Sequence, residues 1–101
     1  MASQLIKIKY TNDYITSVNT ILSYYRNLQD DLPEKFFIDL IDSENLVVNN
    51  PEIYSKRYLN VRRKNLKTFS FCIFYEFSLV KKQVTFLACV HQYMDPINWP
   101  K

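Results

Sequence analysis

The sequence predicts a two-layer α+β domain of order β-α-α-β-β-β, in which a helix hairpin packs on an antiparallel sheet of about four strands. Three observations predict it. A short alternating apolar run opens the chain, two segments with an apolar repeat of three to four residues follow, and after Pro51 the repeat drops to two. Helices first and strands after is the pattern of an α+β layer pair, and 101 residues is enough for one core only.

The opening strand is expected over Leu5 to Tyr10, with Ile6, Ile8 and Tyr10 on one side and Lys7 and Lys9 on the other. Thr11, Asn12 and Asp13 are candidate N-caps for a first helix. Its stripe of Tyr14, Ile15, Val18, Ile21, Leu22, Tyr25 and Leu28 ends near Leu28. Asp31 before Leu32-Pro33-Glu34 gives an N-cap, a proline in the first turn and a capping-box acid, so a second helix starts there. Phe37, Leu40, Ile41 and Val48 mark its apolar stripe, and Asn49-Asn50-Pro51 stops it.

Three β-rich runs follow, from Tyr58 to Leu66, Phe69 to Phe77 and Gln83 to Val90. In the middle run Phe69, Phe71, Ile73, Tyr75 and Phe77 share one face, and Ser70, Cys72, Phe74 and Glu76 share the other. One face is expected against the helices and the other toward a partner. The tail from Asp95 to Lys101, with two prolines, is expected to be irregular and pinned by Trp99.

Composition excludes several classes. Glycine is absent, which removes glycine-rich phosphate loops and dinucleotide fingerprints, and no nucleotide cofactor is expected. No apolar run approaches the roughly 18 residues of a membrane span, and the start MASQLIKIKY lacks the pattern of a signal peptide. No membrane association and a cytoplasmic location are expected. Cys72 and Cys89 are read as small core residues, and with His91 as the single histidine no metal is implied.

Charge is divided unevenly. Residues 1–52 hold four bases against eight acids, a net −4, and residues 53–101 hold nine bases against two acids, a net +7. Within the second half Lys56, Arg57, Arg62, Arg63, Lys64 and Lys67 place six cations in twelve residues without an acid. Such a density attracts phosphates or an acidic protein segment, while a protected sheet edge is the plainer alternative. Three consecutive cations exceed what edge protection needs. At the end of the last strand His91, Tyr93, Asp95 and Trp99 gather. There His91 can serve as an acid or base, or simply order the turn at Asp95-Pro96.

These pieces resemble the RelE/ParE toxins of bacterial toxin-antitoxin pairs. The resemblance lies in Val61-Arg62-Arg63, in Phe69-Ser70-Phe71-Cys72-Ile73-Phe74-Tyr75, in Leu87-Ala88-Cys89-Val90-His91, in Asp95-Pro96 and Trp99, and in Asn50-Pro51-Glu52 after the second helix. Ser70 stands where the pattern has proline, Met94 where it has arginine before Asp-Pro, and Tyr54 where many members have glycine. The resemblance implies a single toxin domain over residues 1–101, an antitoxin partner with an acidic amphipathic segment, and DNA gyrase or the ribosome with its mRNA as target. A binding toxin would use Lys56, Arg57, Arg62, Arg63, Lys64 and Lys67. A ribosome-dependent nuclease would use His91, Tyr93 and Arg63, although Cys72 occupies the position of the family's strand-three arginine.

Overall fold

A computed structural model describes residues 5–93. Strand β1 (Lys7–Tyr10) leads into helix α1 (Asn12–Leu28) and helix α2 (Leu32–Asn49), followed by β2 (Lys56–Tyr58), β3 (Val61–Asn65), β4 (Phe71–Ser78) and β5 (Gln83–His91). The strands form one sheet in the order β1-β5-β4-β3-β2. The two helices cover one face of it, as the sequence pattern requires. The tail expected to be pinned by Trp99, with Met94, Asp95 and Pro96, lies outside the described residues.

Local chemistry sets the helix boundaries. Thr11 caps α1, its Oγ1 accepting from the Tyr14 N–H at 3.0 Å while donating to the Leu87 carbonyl at 2.9 Å. The same residue therefore starts the helix and fastens it to β5. At α2 the start is where the Asp31-Pro33 signal put it, but Asp31 makes no side-chain cap bond. It pairs with Lys35 at 2.9 Å and accepts from Gln29 at 2.7 Å instead. The helix closes with the Asn50 N–H shared between the Leu46 and Val47 carbonyls.

The sheet has one strand more than the run from Tyr58 to Leu66 suggests. That run is broken at Leu59-Asn60, where Leu59 takes φ 51°, so β2 and β3 form a hairpin. The extra reversal of the chain has a consequence at the far edge. With one more turn than expected, β5 arrives running in the same direction as β1, and the pair is parallel, Lys7 facing Gln83 and Tyr10 facing Phe86. The remaining pairs are antiparallel.

The alternation expected for the middle run holds. Ile73 and Tyr75 join Tyr14, Val18, Ile21, Phe36, Leu40, Val47, Val84 and Phe86 in the core beneath the helices, with Phe69, Phe71 and Phe77 packed at its margin. Cys72 and Phe74 lie on the other face in a second apolar cluster with Val61, Leu87 and Val90. A bulge at Leu87 in β5 shifts the register between Phe74 and Tyr75, so that Cys89 joins the core under the helices and Val90 joins Leu87 in the second cluster. Both cysteines are free and buried, on opposite faces, and burial pushes the Cys89 thiol up to about 12.

On α2 the buried stripe is rotated by one position from the expected one. Phe36, Leu40, Ser43 and Val47 face the sheet, whereas Phe37 is half exposed. The polar residues on the inner face explain the shift, because Asp39, Ser43 and Glu44 are buried and disguise it in the sequence. Asp39 accepts the backbone N–H groups of Lys67, Thr68 and Phe69 at 3.2, 2.9 and 2.8 Å. Glu44 accepts the hydroxyls of Tyr10, at 2.9 Å, and of Tyr14.

Burial raises the Glu44 carboxyl above its ordinary range, and the two hydroxyl donors only partly offset this. Its neighbours respond in kind: burial and the carboxylate push the Tyr10 hydroxyl up to about 12 and raise that of Tyr14 further. An acid whose folded pKa is raised contributes stability that is complete below its unfolded pKa and is lost as pH rises through the folded value. Glu44→Gln removes that dependence. Denaturant unfolding of both proteins between pH 7 and pH 4 should therefore show the natural chain gaining on the variant as pH falls. A natural chain that loses ground to the variant on acidification would contradict this assignment.

Candidate functional site

The β2–β3 hairpin carries the cations singled out in the sequence, and the strand period sorts them. Arg62, Arg63 and Lys64 are consecutive in β3, so their side chains alternate between the two faces. Arg62 lies on the helix side near Tyr75. Its Nη1 donates to the carbonyls of Glu52 at 3.0 Å and Tyr54 at 2.7 Å, while the Tyr75 hydroxyl donates to the Pro51 carbonyl at 2.8 Å. Together they clamp the segment after α2. Lys64 sits 5.4 Å above the Tyr54 ring and donates to the Asn65 carbonyl at 2.8 Å.

Arg63 points to the opposite face, over the Val61-Cys72-Phe74 cluster. Its Nε donates to Asn65 Oδ1 at 2.9 Å and its Nη2 to the Gln92 carbonyl at 2.6 Å. Burial raises the Cys72 thiol, and Arg63 and Arg57 nearby pull it the other way. A buried thiol held up in this manner is a packing group rather than a nucleophile.

Arg57, Arg63 and Lys64 line one open cleft of about 570 Å³ with Ile53, Tyr54, Ser55 and Asn65, and no acid stands among these residues. A second cleft of about 440 Å³ includes Lys56, Arg62 and Lys81, but Glu52 and Glu76 stand beside them and offset their charge. The first cleft is thus the better seat for an anionic partner. Lys67 is exposed on the β3–β4 connection, which Asp39 holds in place through three N–H bonds.

His91 and Tyr93 are brought together, and neither lines the cleft that holds Arg63. Their rings are 4.9 Å apart, and the Tyr93 N–H donates to His91 Nδ1 at 3.3 Å. His91 also meets the edge of Phe71 at 5.7 Å, which places its ring on the helix side of β5, whereas Arg63 lies on the other face. Arg63 reaches the Gln92 backbone between them, not their side chains. The described residues thus gather Arg57, Arg63 and Lys64 in one acid-free cleft, which neither His91 nor Tyr93 lines.

Sequence reasoning did not find the residues that orient these cations. Asn65 and the carbonyls of Glu52, Tyr54 and Gln92 carry no signal in linear order. Nor did it find the pairing of Lys7 with the β4–β5 turn, where the Lys7 N–H donates to the Lys82 carbonyl at 2.8 Å across most of the chain length.

No protein-family model and no curated protein matches the sequence. Solved structures match the fold. A toxin-antitoxin structure described as the chromosomal ParDE system from P. aeruginosa superposes with a TM-score of 0.74 at 17% identity, covering 88% of this chain and 98% of that one. The intact E. coli RelBE toxin-antitoxin complex gives a TM-score of 0.57 at 13% identity, covering 86% and 96%. YafQ from E. coli strain BL21(DE3) gives 0.57 at 15% identity, covering 87% and 94%. The chain therefore has the RelE/ParE toxin fold.

The two faces of the basic hairpin should respond differently to mutation. Arg62→Gln loses two charge-assisted bonds to backbone carbonyls and should cost about 1–3 kcal/mol in urea unfolding. Arg57→Gln, at an exposed position, should change stability by less than about 0.5 kcal/mol yet lower affinity for a polyanion such as heparin and flatten its salt dependence. Equal stability of the two variants would mean that Arg62 is not a clamp.

Proposed function

We propose that this chain is the toxin of a type II toxin-antitoxin pair, a single domain over residues 1–101 acting in the cytoplasm. It halts growth by binding an essential target in the manner of ParE, with DNA gyrase as the first candidate. A cognate antitoxin neutralises it. The observation that carries this reading is the acid-free cleft of Arg57, Arg63 and Lys64 on a RelE/ParE fold, since a cleft of that kind binds without needing to cut. An acidic amphipathic antitoxin segment is the partner whose charge suits the basic hairpin, with Lys56 and Lys67 at its flanks.

Cleavage of mRNA in the ribosome is the competing reading, favoured by the adjacent His91 and Tyr93 rings. Cutting needs a base for the ribose 2′-OH and an acid for the leaving oxygen near a cation on the scissile phosphate. Arg63 on the far face from His91 does not meet that requirement.

Inducing the chain alone in a bacterial host should arrest growth, and co-expression of the adjacent gene should restore it. Arrest with a DNA-damage response and continuing protein synthesis is the outcome expected for the binding toxin. Immediate translation shut-off that His91→Ala or Tyr93→Ala relieves would assign the nuclease reading instead. Normal growth at confirmed expression would leave an inactive relative of the fold.

A further inference from the structure

The β4–β5 turn breaks the local rules for turns. Its residues Leu79-Val80-Lys81-Lys82 include no glycine, asparagine, aspartate or proline, and Lys82 takes φ 51°, a conformation that favours those smaller residues. Polar contacts hold it: the Lys82 N–H donates to the Leu79 carbonyl at 3.3 Å and the Lys81 N–H to Ser78 Oγ at 3.2 Å. Leu79 and Val80 are 63% and 94% exposed and belong to neither apolar cluster. Two aliphatic side chains where the fold gains nothing from them indicate a contact made outside the fold.

The molecule carries a matching receptacle. Between α1 and α2 an apolar groove of about 200 Å³ is lined by Tyr10, Ile15, Phe37, Leu40 and Ile41, with the Glu44 carboxylate on its wall. That exceeds the ~150 Å³ that admits a benzene ring, so one or two branched aliphatic side chains fit. Charge is complementary as well. The segment from Asn12 to Asn49 holds seven acids, of which Asp39 and Glu44 are buried and the other five exposed, against Arg26 and Lys35, while the turn carries Lys81 and Lys82 and is bonded to Lys7.

We propose that a second copy of this chain fills the groove: the Leu79-Val80 tip of one copy seats between α1 and α2 of the other, with Lys81 and Lys82 against its acidic helix layer. Position favours a closed pair. The tip is bonded to the Lys7 end of β1, and Tyr10 at the other end of the same strand lines the groove. Four strand residues span about 10 Å, so a two-fold axis beside β1 brings each tip to the other copy's groove in two equivalent contacts. The contacts are small, which puts the association in the weak class. The proposal goes beyond the toxin reading and does not depend on it.

Sedimentation of the full chain up to about 1 mM, a range suited to weak pairs, should show a monomer–dimer equilibrium that weakens between about 50 and 500 mM salt. Val80→Asp and Ile15→Asp change exposed positions, and circular dichroism confirms that each variant is folded. Each should weaken dimerisation at least about tenfold, the loss of roughly 1.4 kcal/mol. An equimolar mixture of the two should recover dimer, because one intact tip then meets one intact groove. A monomer at every concentration, variants that dimerise normally, or a mixture no better than its components overturns the proposal. So does a chain that stays monomeric but sediments with phosphatidylglycerol vesicles until Val80 is replaced, which would assign the tip to a lipid surface.

Discussion

Helix α2 is held to the rest of the molecule by two buried carboxylates, and the arrangement of the basic hairpin depends on them. A carboxylate removed from water is costly unless donors replace its hydration. Asp39 finds three backbone N–H groups on the β3–β4 connection, and Glu44 finds two tyrosine hydroxyls from β1 and α1. They stand five positions apart, which at 3.6 residues per turn turns the two side chains well apart around the helix. One bond set fixes the helix to the β3 side of the sheet and the other to the β1 side. The helix can neither slide nor rotate without leaving donors or a charge unpaired.

That anchorage decides what the cations can do. With the β3–β4 connection pinned, β3 presents its consecutive cations to fixed faces, and the strand period divides the work between them. Arg62 is spent on the carbonyls after α2, and Lys64 covers Tyr54. Arg63 and Arg57 are left near Cys72 of the second apolar cluster, and with Lys64 they line the acid-free cleft. The RelE/ParE likeness lies in the fold at 17% identity or less among the three structures compared, so function has to be argued from this cleft rather than from the architecture.

Much of the architecture was legible because it rests on local chemistry. Thr11 and the Asp31-Pro33 pair mark helix starts, Asn50-Pro51 marks a stop, and the alternation of Phe71 to Phe77 sorts two faces without knowledge of the partner strands. What escaped depends on contacts distant in sequence. No glycine or asparagine marks position 59, so the turn at Leu59 was invisible, and with it the parallel direction of β1. The inner face of α2 was misplaced by one residue because Asp39 and Glu44 read as solvent-facing until their donors are known. His91 and Arg63 were grouped through the family resemblance, yet their faces follow from a register that places His91 opposite Phe71 and Arg63 opposite Phe74. The cations of the cleft, Arg57, Arg63 and Lys64, were named from charge density alone, but which of them are already engaged could be learned only from the groups they meet.

Amide hydrogen exchange of Lys67, Thr68 and Phe69 in the natural chain and in Asp39→Ala is the most direct test of this anchorage. Those three N–H groups should be protected in the natural chain. In the variant they should exchange faster by a factor of about ten or more, the equivalent of losing at least ~1.4 kcal/mol of local stability, while the amides of the β4–β5 ladder keep their protection. Unchanged protection at the three amides in a folded Asp39→Ala variant would contradict the account, since the connection would then be held by something other than the buried carboxylate of α2.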